Sequence, residues 1–287
     1  MIERLAIIGV GMIGSSLALA LKQAGVVGHV VGCGRNQHNL EKGIELGVID
    51  SYQLSVRDAV VGADTVVVAV PLGAMKTVFE QIGGAITDDM VITDVGSAKA
   101  SVVKAAKASF GARAGQFVPG HPIAGAEKSG VEAGLASLYQ NRRVILTPLD
   151  STDPAAVAKI EQMWLSCGAK IDHLAVEHHD RVLAATSHLP HMLAYALVNY
   201  LSSLNEHDEI FNYAAGGFMD FTRIASSDPV MWRDVCISNS DALLDFIEGY
   251  KDELDQVSAA IRGQDGERLL QLFGKAKSER DLLIGNS

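Results

Sequence analysis

The chain has 287 residues, of which 48% are hydrophobic and 20% charged, a composition typical of a soluble protein with room for one large or two ordinary domains. Its formal net charge of -10 disfavours binding to the phosphate backbone of nucleic acids. Three widely spaced cysteines, Cys33, Cys167 and Cys236, form no CxxC pattern, so we expect no disulfide framework and a reducing, cytoplasmic location.

The apolar N-terminus predicts neither a signal peptide nor a membrane span. Gly9, Gly11 and Gly14 interrupt it, so no stretch reaches the roughly 18 consecutive apolar residues that a span needs. Residues 5–10 instead predict a buried strand, and residues 14–25 a helix that ends at Gly25.

Further short Val/Ile-rich runs predict more buried strands, at residues 29–33, 64–71 and 89–97. Because these runs do not alternate with polar residues, we expect parallel strands covered on both faces by helices, as in a Rossmann-like α/β domain. Two later strand predictions, 142–148 and 169–174, flank a predicted helix and are expected to complete the same mostly parallel sheet.

After residue 175 the apolar residues follow helical spacing and the strand signal fades. The sequence therefore predicts a dinucleotide-binding domain over residues 1–174 and an all-helical domain over residues 175–287. The polar run EHHD at 177–180 opens the first of these helices and is interpreted as a solvated first turn.

The stretch GVGMIG, residues 9–14, is a G-x-G-x-x-G between a predicted strand and a predicted helix. In that context it predicts a dinucleotide site, with the pyrophosphate at the helix N-terminus. The alternative is a tight strand-to-helix turn that binds nothing. The predicted cofactor-binding residues are Gly9, Gly11, Met12, Ile13, Gly14, Arg35, Val70 and Pro71.

The end of the second predicted strand bears on which dinucleotide binds. An Asp or Glu there would bind the ribose 2′-hydroxyl of NAD, but this chain has Gly34 followed by Arg35. The missing carboxylate and the adjacent guanidinium favour the 2′-phosphate of NADP. In the alternative, Arg35 is only a solvated residue and NAD binds.

Four further stretches, DVGSAK (94–99), GHPIAGAEKSG (120–130), SHLPH (187–191) and GGFMDFTRIASSDPVMW (216–232), follow the glycine loop in order. Together they resemble the prephenate/arogenate dehydrogenase family of tyrosine biosynthesis over nearly the whole chain. The resemblance implies a Rossmann-like domain, a helical domain that forms a homodimer, and oxidative decarboxylation of prephenate or arogenate with NAD or NADP. Ala126 stands where the family often has Thr near the substrate, so the preferred substrate stays open.

The implied substrate is a cyclohexadienol that must lose a hydride, a hydroxyl proton and a carboxylate, which calls for a base, cations and a nearby nicotinamide. The resemblance implies that His121 contacts the ring hydroxyl as the catalytic base, and a near-neutral pKa would suit that role. Ser97 is expected to orient His121, although its position also allows it to cap the following helix.

His188 and His191 lie three residues apart around Pro190 and would share a helix face. The H-E-x-x-H spacing of a zinc pair is missing, so no metal site is predicted. The resemblance implies that His191 binds substrate while Ser187 and His188 line the same pocket, with Pro190 bending the helix to turn them inward. The alternative is a packed kink with solvated histidines.

Arg223 is the predicted clamp for a substrate carboxylate, because a guanidinium can form two parallel hydrogen bonds with it. Asp220, three residues earlier, is expected to hold Arg223, or the two form a structural pair without a ligand. Two other functions stay open. One is a β-hydroxyacid-type dehydrogenase, which typically uses a catalytic lysine on a helix of its C-terminal domain and is disfavoured because no Lys lies between Lys170 and Lys251. The other is a non-catalytic redox sensor.

Overall fold

A computed structural model describes residues 1–125 and 130–285 of the chain. By its internal contacts the chain divides into two compact units, Met1–Ser240 and Asp241–Ser287.

The first unit begins with a parallel sheet in the strand order β3-β2-β1-β4-β5-β6. The strands are β1 (Ile2–Ile8), β2 (Val27–Cys33), β3 (Ser51–Gln53), β4 (Thr65–Val68), β5 (Val91–Asp94) and β6 (Phe117–Val118). The helices between them are α1 (Met12–Gln23), α2 (Gln37–Glu45), α3 (Val56–Ala59), α4 (Leu72–Gly83) and α5 (Ala100–Phe110). The order reverses between β1 and β4, so a ligand crevice opens outside their carboxyl ends.

The sheet is covered on both faces, which explains the unbroken Val/Ile runs in the sequence. Val67 on β4 packs into one apolar cluster with Leu17 and Trp164, whereas its neighbours Val66 and Val68 belong to a second cluster on the other face. All three valines are fully buried. The predicted Rossmann-like α/β fold is thereby confirmed.

The prediction that residues 142–148 and 169–174 complete this sheet is wrong. They form β8 (Arg143–Leu146) and β9 (Lys170–His173) of a separate sheet, in the order β7-β8-β9 with β7 (Gly120–Pro122). Helix α6 (Pro154–Ser166) connects β8 to β9. Strand β6 ends at Val118, and the carbonyl oxygen of Pro119 accepts the Thr147 N–H at 2.9 Å, on the side of β8. The chain then pairs antiparallel with β8.

The rest of the first unit is helical, as predicted. Its elements are α7 (Val176–Leu183), a π-helical turn (Ala184–His188), α8 (Leu189–Ser202), α9 (His207–Asn212), α10 (Gly216–Thr222), a 3-10 turn (Arg223–Ser226) and α11 (Pro229–Ser238). Pro190 lies at the start of α8, directly after the π-helical turn. The regular α-helix is therefore interrupted next to Pro190, as the sequence predicts.

The second unit consists of α12, which begins at the boundary (Ser240–Arg262), and α13 (Gly266–Gly285). Asp265 caps α13 by accepting a hydrogen bond from the Arg268 N–H at 2.9 Å, and the Arg268 guanidinium bonds Gln256 on α12 at 2.9 Å. The two helices therefore form a hairpin. Both helices leave large apolar side chains exposed, for example Leu254 and Phe273. Across the described part of the chain, no helix combines the length and apolarity that crossing a membrane requires.

Candidate active site

The glycine loop lies at the crevice between β1 and β4, and two of its glycines are sterically required. Gly9 has a φ of 106°, and a Cβ there would lie 2.2 Å from the carbonyl oxygen of Ala69. A Cβ on Gly14 would lie 2.3 Å from the Gly9 carbonyl oxygen. A Cβ on Gly11, in contrast, would meet no atom within 4 Å. The space over Gly11 is thus open to a ligand, while Gly9 and Gly14 hold the turn closed.

The first turn of α1 suits an anion. Gly11 is its N-cap and offers no side chain, and no acidic residue lies in that turn. The backbone N–H groups of Met12, Ile13 and Gly14 have no partners within the helix and meet the positive end of its dipole. The chain after β4 borders the same loop, because Val70 lies 3.1 Å from the Cβ position of Gly9 and Pro71 caps α4. These residues fit the pyrophosphate of a dinucleotide.

At the end of β2, Arg35 is exposed, and Gly34 precedes it. A Cβ on Gly34 would be in ordinary contact with Leu40 at 3.6 Å, and the φ of Gly34 is outside the left-handed region. The backbone at residue 34 would therefore accept a carboxylate side chain, and its absence is a feature of the sequence rather than a demand of the fold.

His121 lies on β7 and is 8% exposed. Its Nδ1 is 2.9 Å from Nε2 of His179, and the two rings meet edge to face with centroids 5.1 Å apart. Since Nδ1 is engaged inside the protein, Nε2 is the ring atom left to meet a ligand.

The interpretation of residues 177–180 as a solvated first turn is wrong for its second half. His179 is 0% and Asp180 5% exposed, although Glu177 and His178 are exposed. Nδ1 of His179 lies 2.8 Å from Oδ1 of Asp180. The Asp180 carboxylate also accepts the backbone N–H groups of Lys99 at 2.7 Å and Ala100 at 2.8 Å. It is buried because it caps α5 from another helix.

Lys99 supports the strand that carries His121 and is fully buried. Its Nζ lies 2.5 Å from Oδ2 of Asp94 and donates to the Gly120 carbonyl oxygen at 2.6 Å. The other oxygen of Asp94 accepts the Gly120 N–H at 3.2 Å. This buried ion pair thus fixes the residue before His121 from both sides of its backbone. Sequence reasoning missed Lys99 and the pair His179–Asp180.

Ser97 is half-buried in the connection between β5 and α5. The alternative that it caps α5 is wrong, because Lys99 is the N-cap residue and Asp180 supplies the capping oxygens. The Ser97 backbone faces His188 closely enough to oppose the effect of burial on that pKa. Ser97 therefore lies beside the histidine cluster.

His188 and His191 both approach Trp232 on α11. The His191 ring stacks on the indole with centroids 3.7 Å apart, and the His188 ring meets its edge at 6.0 Å. Nδ1 of His188 lies 3.1 Å from the amide nitrogen of Asn239. Burial lowers the pKa of His191, and the positive charge of Arg223 acts in the same direction. Arg223 therefore lies near His191, although the two belong to different elements.

Burial also lowers the pKa of the two inner histidines, His121 and His188. It lowers the pKa of His121 well below the ordinary value of 6.5, and the neighbouring His179 and Lys99 add to that effect. Burial lowers the pKa of His188 to about 4. A near-neutral pKa would suit the base that the family resemblance implies at His121. The structure gives a lower one because the ring is nearly enclosed, so His121 is a neutral acceptor at neutral pH.

The remaining predicted substrate-binding residues are Ser187, Asp220 and Ala126. The Ser187 carbonyl oxygen accepts a hydrogen bond from Nδ1 of His191 at 2.8 Å, which orients that ring. Asp220 is exposed on α10. Ala126 lies outside the described residues. Among the residues that are described, no three His, Cys, Asp or Glu side chains are grouped so as to hold a metal ion.

A parallel sheet with a glycine loop suited to an anion, together with a buried cluster of neutral histidines, is the arrangement expected of a dinucleotide-dependent dehydrogenase. Two family models match the chain: the nucleotide-binding domain of prephenate dehydrogenase over residues 17–173, and its dimerization domain over residues 175–275. The chain therefore belongs to the prephenate dehydrogenase family.

Individual relatives agree. Cyclohexadienyl dehydrogenase of Zymomonas mobilis is 38% identical over 280 residues, covering 97% of this chain and 95% of that one. Prephenate dehydrogenase of Bacillus subtilis is 38% identical, covering 95% of this chain and 74% of that one. The structure of Aquifex aeolicus prephenate dehydrogenase with hydroxyphenyl propionate and NAD+ superposes with a TM-score of 0.92 at 35% identity, covering 99% of both chains. The relationship supersedes the β-hydroxyacid-type and sensor alternatives.

Proposed function

We propose that this enzyme oxidises and decarboxylates prephenate, arogenate or both, giving 4-hydroxyphenylpyruvate or tyrosine, with hydride transfer to a nicotinamide dinucleotide. Besides family membership, one observation carries the proposal. The histidine implied as the base has its Nδ1 held by His179, which leaves Nε2 of a neutral imidazole for a substrate hydroxyl.

His121 is the proposed catalytic residue. As the carbinol carbon gives up its hydride, the hydroxyl becomes more acidic, and Nε2 of His121 accepts its hydrogen bond or proton. Loss of CO2 leaves its electron pair in the ring and makes it aromatic. The proton then returns to the phenol oxygen, so the reaction releases no net proton. Ser97, which lies beside the histidine cluster, is proposed to bond the same hydroxyl.

The helical region is proposed to hold the carboxylates. Arg223 is the clamp, and its effect on the pKa of His191 supports a shared pocket for the two residues. The other proposed substrate-binding residues are Ser187, His188, Ala126 and Asp220.

For the cofactor, we propose a preference for NADP over NAD. When bound, the oxidised nicotinamide supplies the hydride acceptor. Gly9, Gly11 and the first turn of α1 would hold the pyrophosphate. Arg35 is exposed where a 2′-phosphate would lie, and Gly34 places no carboxylate against it. The relative from Aquifex aeolicus was solved with NAD+, which makes this preference the point to test.

We further propose a cytoplasmic homodimer whose two domains meet after residue 174. The match of residues 175–275 to a dimerization domain supports the dimer, as do the exposed apolar side chains of α12 and α13. The cysteines Cys33, Cys167 and Cys236 are free thiols, which suits a reducing compartment.

Steady-state kinetics with prephenate and arogenate, each paired with NAD+ and NADP+, tests the function directly. The absorbance of the reduced nicotinamide follows turnover, and we expect it with at least one pair. His121→Asn should reduce kcat by about 100-fold or more, because a positioned base contributes roughly 10²–10⁴-fold. Its affinity for the dinucleotide should not change. Full activity in His121→Asn would remove the proposed base.

A further inference from the structure

We propose that His179 and Asp180 are positioning residues for catalysis: they hold His121 as its Nδ1–H tautomer and place a fixed negative charge behind the ring that receives the substrate proton. The inference deepens the proposed function, since it rests on His121 acting as the base. Sequence reasoning placed both residues in solvent.

The tautomer follows from the donors and acceptors along the chain of contacts. The Asp180 carboxylate, already bonded by two backbone N–H groups, is an acceptor only. Nδ1 of His179, 2.8 Å away, must therefore carry a hydrogen. In a neutral ring its Nε2 is then an acceptor, so Nδ1 of His121 at 2.9 Å must be the donor. Nε2 of His121 is left with its lone pair.

The ionisable groups around the two rings carry one net negative charge. The ionisable neighbours that act on His121 and His179 are Asp94, Lys99, Asp180 and His188. Asp94 and Lys99 cancel as an ion pair, and His188 is neutral because burial keeps its pKa at about 4. Asp180 leaves one uncompensated negative charge. A proton on His121 would bring this cluster to neutrality, with Nδ1–H still donated towards Asp180 through His179.

Hydrogen bonds fix the orientation of the Asp180 carboxylate. Its two oxygens accept from Lys99 and Ala100 at the start of α5, and its own carbonyl oxygen accepts from the Asn239 amide at 2.8 Å. The carboxylate is thus held at both its side chain and its backbone. The same hydrogen bonds join α7 to the start of α5, so one buried carboxylate holds both the His179 ring and the segment that follows Ser97.

A purely structural role, as a helix cap, is the competing explanation, and the two differ in whether the His121 tautomer and kcat change together in variants of His179. In protein labelled with 15N-histidine, the ring shifts of His121 are assigned from their loss in His121→Asn. We expect a protonated Nδ1 and an unprotonated Nε2 in the wild type at pH 7. The opposite tautomer would overturn the proposal without any further variant. This measurement needs no substrate, so it stands even if the proposed reaction fails.

His179→Leu removes the acceptor for His121 but keeps the Asp180 cap on α5. We expect the His121 ring to shift to the Nε2–H tautomer and kcat to fall by about 100-fold or more, with KM and dinucleotide Kd changed less than about threefold. His179→Gln offers an amide oxygen near the former Nε2 and should recover part of kcat. His178→Gln, at the exposed neighbour, is the matched control and should behave as wild type.

Folding is checked by the melting temperature and dinucleotide affinity of each variant. A folded His179→Leu protein with wild-type kcat would overturn the proposal. So would a Leu variant that loses activity while His121 keeps its Nδ1–H tautomer and Gln recovers nothing, because that pattern is a structural effect. If the wild type oxidises neither substrate, the proposed function fails and the positioning role fails with it, whereas the opposite tautomer in an active enzyme overturns the positioning role alone.

Discussion

Asp234 on α11 accepts a hydrogen bond from the backbone N–H of Gly73 on α4, with 3.0 Å between Oδ2 and N. The Arg233 guanidinium bonds the other carboxylate oxygen at 2.6 Å. Asp180 does the same for α5, so two carboxylates from the helical region cap two helices of the nucleotide-binding sheet. Both caps lie at the carboxyl ends of the parallel strands, where a dinucleotide would bind. They join the cofactor region to the histidine cluster.

Gly73→Ala tests the first of these caps. A Cβ there would lie 2.7 Å from Oδ2 of Asp234, so the carboxylate must move and the bond lengthen. We expect the free energy of unfolding in urea to fall by about 0.5–2 kcal/mol, because losing a charged hydrogen bond costs about 1.5–3 kcal/mol while Ala in the helix returns up to about 1 kcal/mol. Gly249→Ala on α12 is the control, since its Cβ meets nothing within 4 Å and should add up to about 1 kcal/mol. Equal stability of Gly73→Ala and wild type would contradict the prediction.

The glycine loop allows a sharper pair of variants. Gly11→Ala places a methyl group in open space over the loop, so the fold should be kept while the dinucleotide Kd rises by about tenfold or more. Gly14→Ala forces its methyl group to 2.3 Å from the Gly9 carbonyl oxygen, so the protein itself should lose stability. Melting temperature and calorimetric Kd separate the two. A Gly11→Ala protein that binds dinucleotide as wild type would mean that the open space is not the pyrophosphate site.

Gly34→Asp tests the proposed cofactor preference. The backbone accepts a side chain here, with Leu40 at an ordinary 3.6 Å, so we expect no loss of fold. The new carboxylate should repel a 2′-phosphate and bond a ribose 2′-hydroxyl, which moves the ratio of kcat/KM for NADP+ and NAD+ towards NAD+ by about tenfold or more. Arg35→Gln should weaken NADP+ alone. If neither variant changes the ratio, Arg35 plays no part in cofactor choice.

The sequence predicted the parts of the fold that depend on local patterns. The buried Val/Ile runs, the glycine loop and the interruption at Pro190 all appear in the structure. The second sheet was missed because strand patterns do not encode partners. Residues 117–122 form β6 and β7 in two different sheets, and no pattern in the sequence specifies which strand lies beside each of them.

The His179–Asp180 pair was missed for a related reason. Polar residues in the first turn of a helix are usually solvated, and the partners of Asp180 lie about eighty residues away at Lys99 and Ala100. One signal was available. Helix α5 begins after Ala98 and Lys99, without a Ser, Thr, Asp or Asn at its N-cap, so its first N–H groups needed a cap from elsewhere in the chain.

Arg223→Ala should act mainly on substrate binding. Losing a charge-assisted hydrogen-bond pair costs about 1.5–3 kcal/mol, so we expect KM for prephenate or arogenate to rise by roughly 10- to 100-fold with a smaller change in kcat. Arg223→Lys keeps the positive charge but not the planar guanidinium, so its substrate KM should lie between those of the wild type and Arg223→Ala. The dinucleotide KM is the internal control and should not move. A substrate KM that is unchanged in Arg223→Ala would exclude the clamp.

His188 should make the protein sensitive to acid. Burial lowers its pKa from 6.5 to about 4, and its Nδ1 faces the Asn239 amide, which donates to a neutral ring only. The folded state thus resists a proton that the unfolded chain accepts. The contribution is fully present above pH 6.5 and is lost as pH falls towards 4. Each pKa unit is worth roughly 1.4 kcal/mol, so the loss should reach about 3 kcal/mol near pH 4.

His188→Asn isolates this contribution, since its amide oxygen can accept from Asn239 but does not titrate. The variant should be less stable than wild type at pH 7, because a ring is lost from a buried site. The difference in the free energy of unfolding should shrink by about 3 kcal/mol between pH 7 and pH 4. Carboxylates such as Asp180 titrate in both proteins and largely cancel in that difference. Urea unfolding at a series of pH values measures it, and a constant difference would show that His188 is not held neutral by the fold.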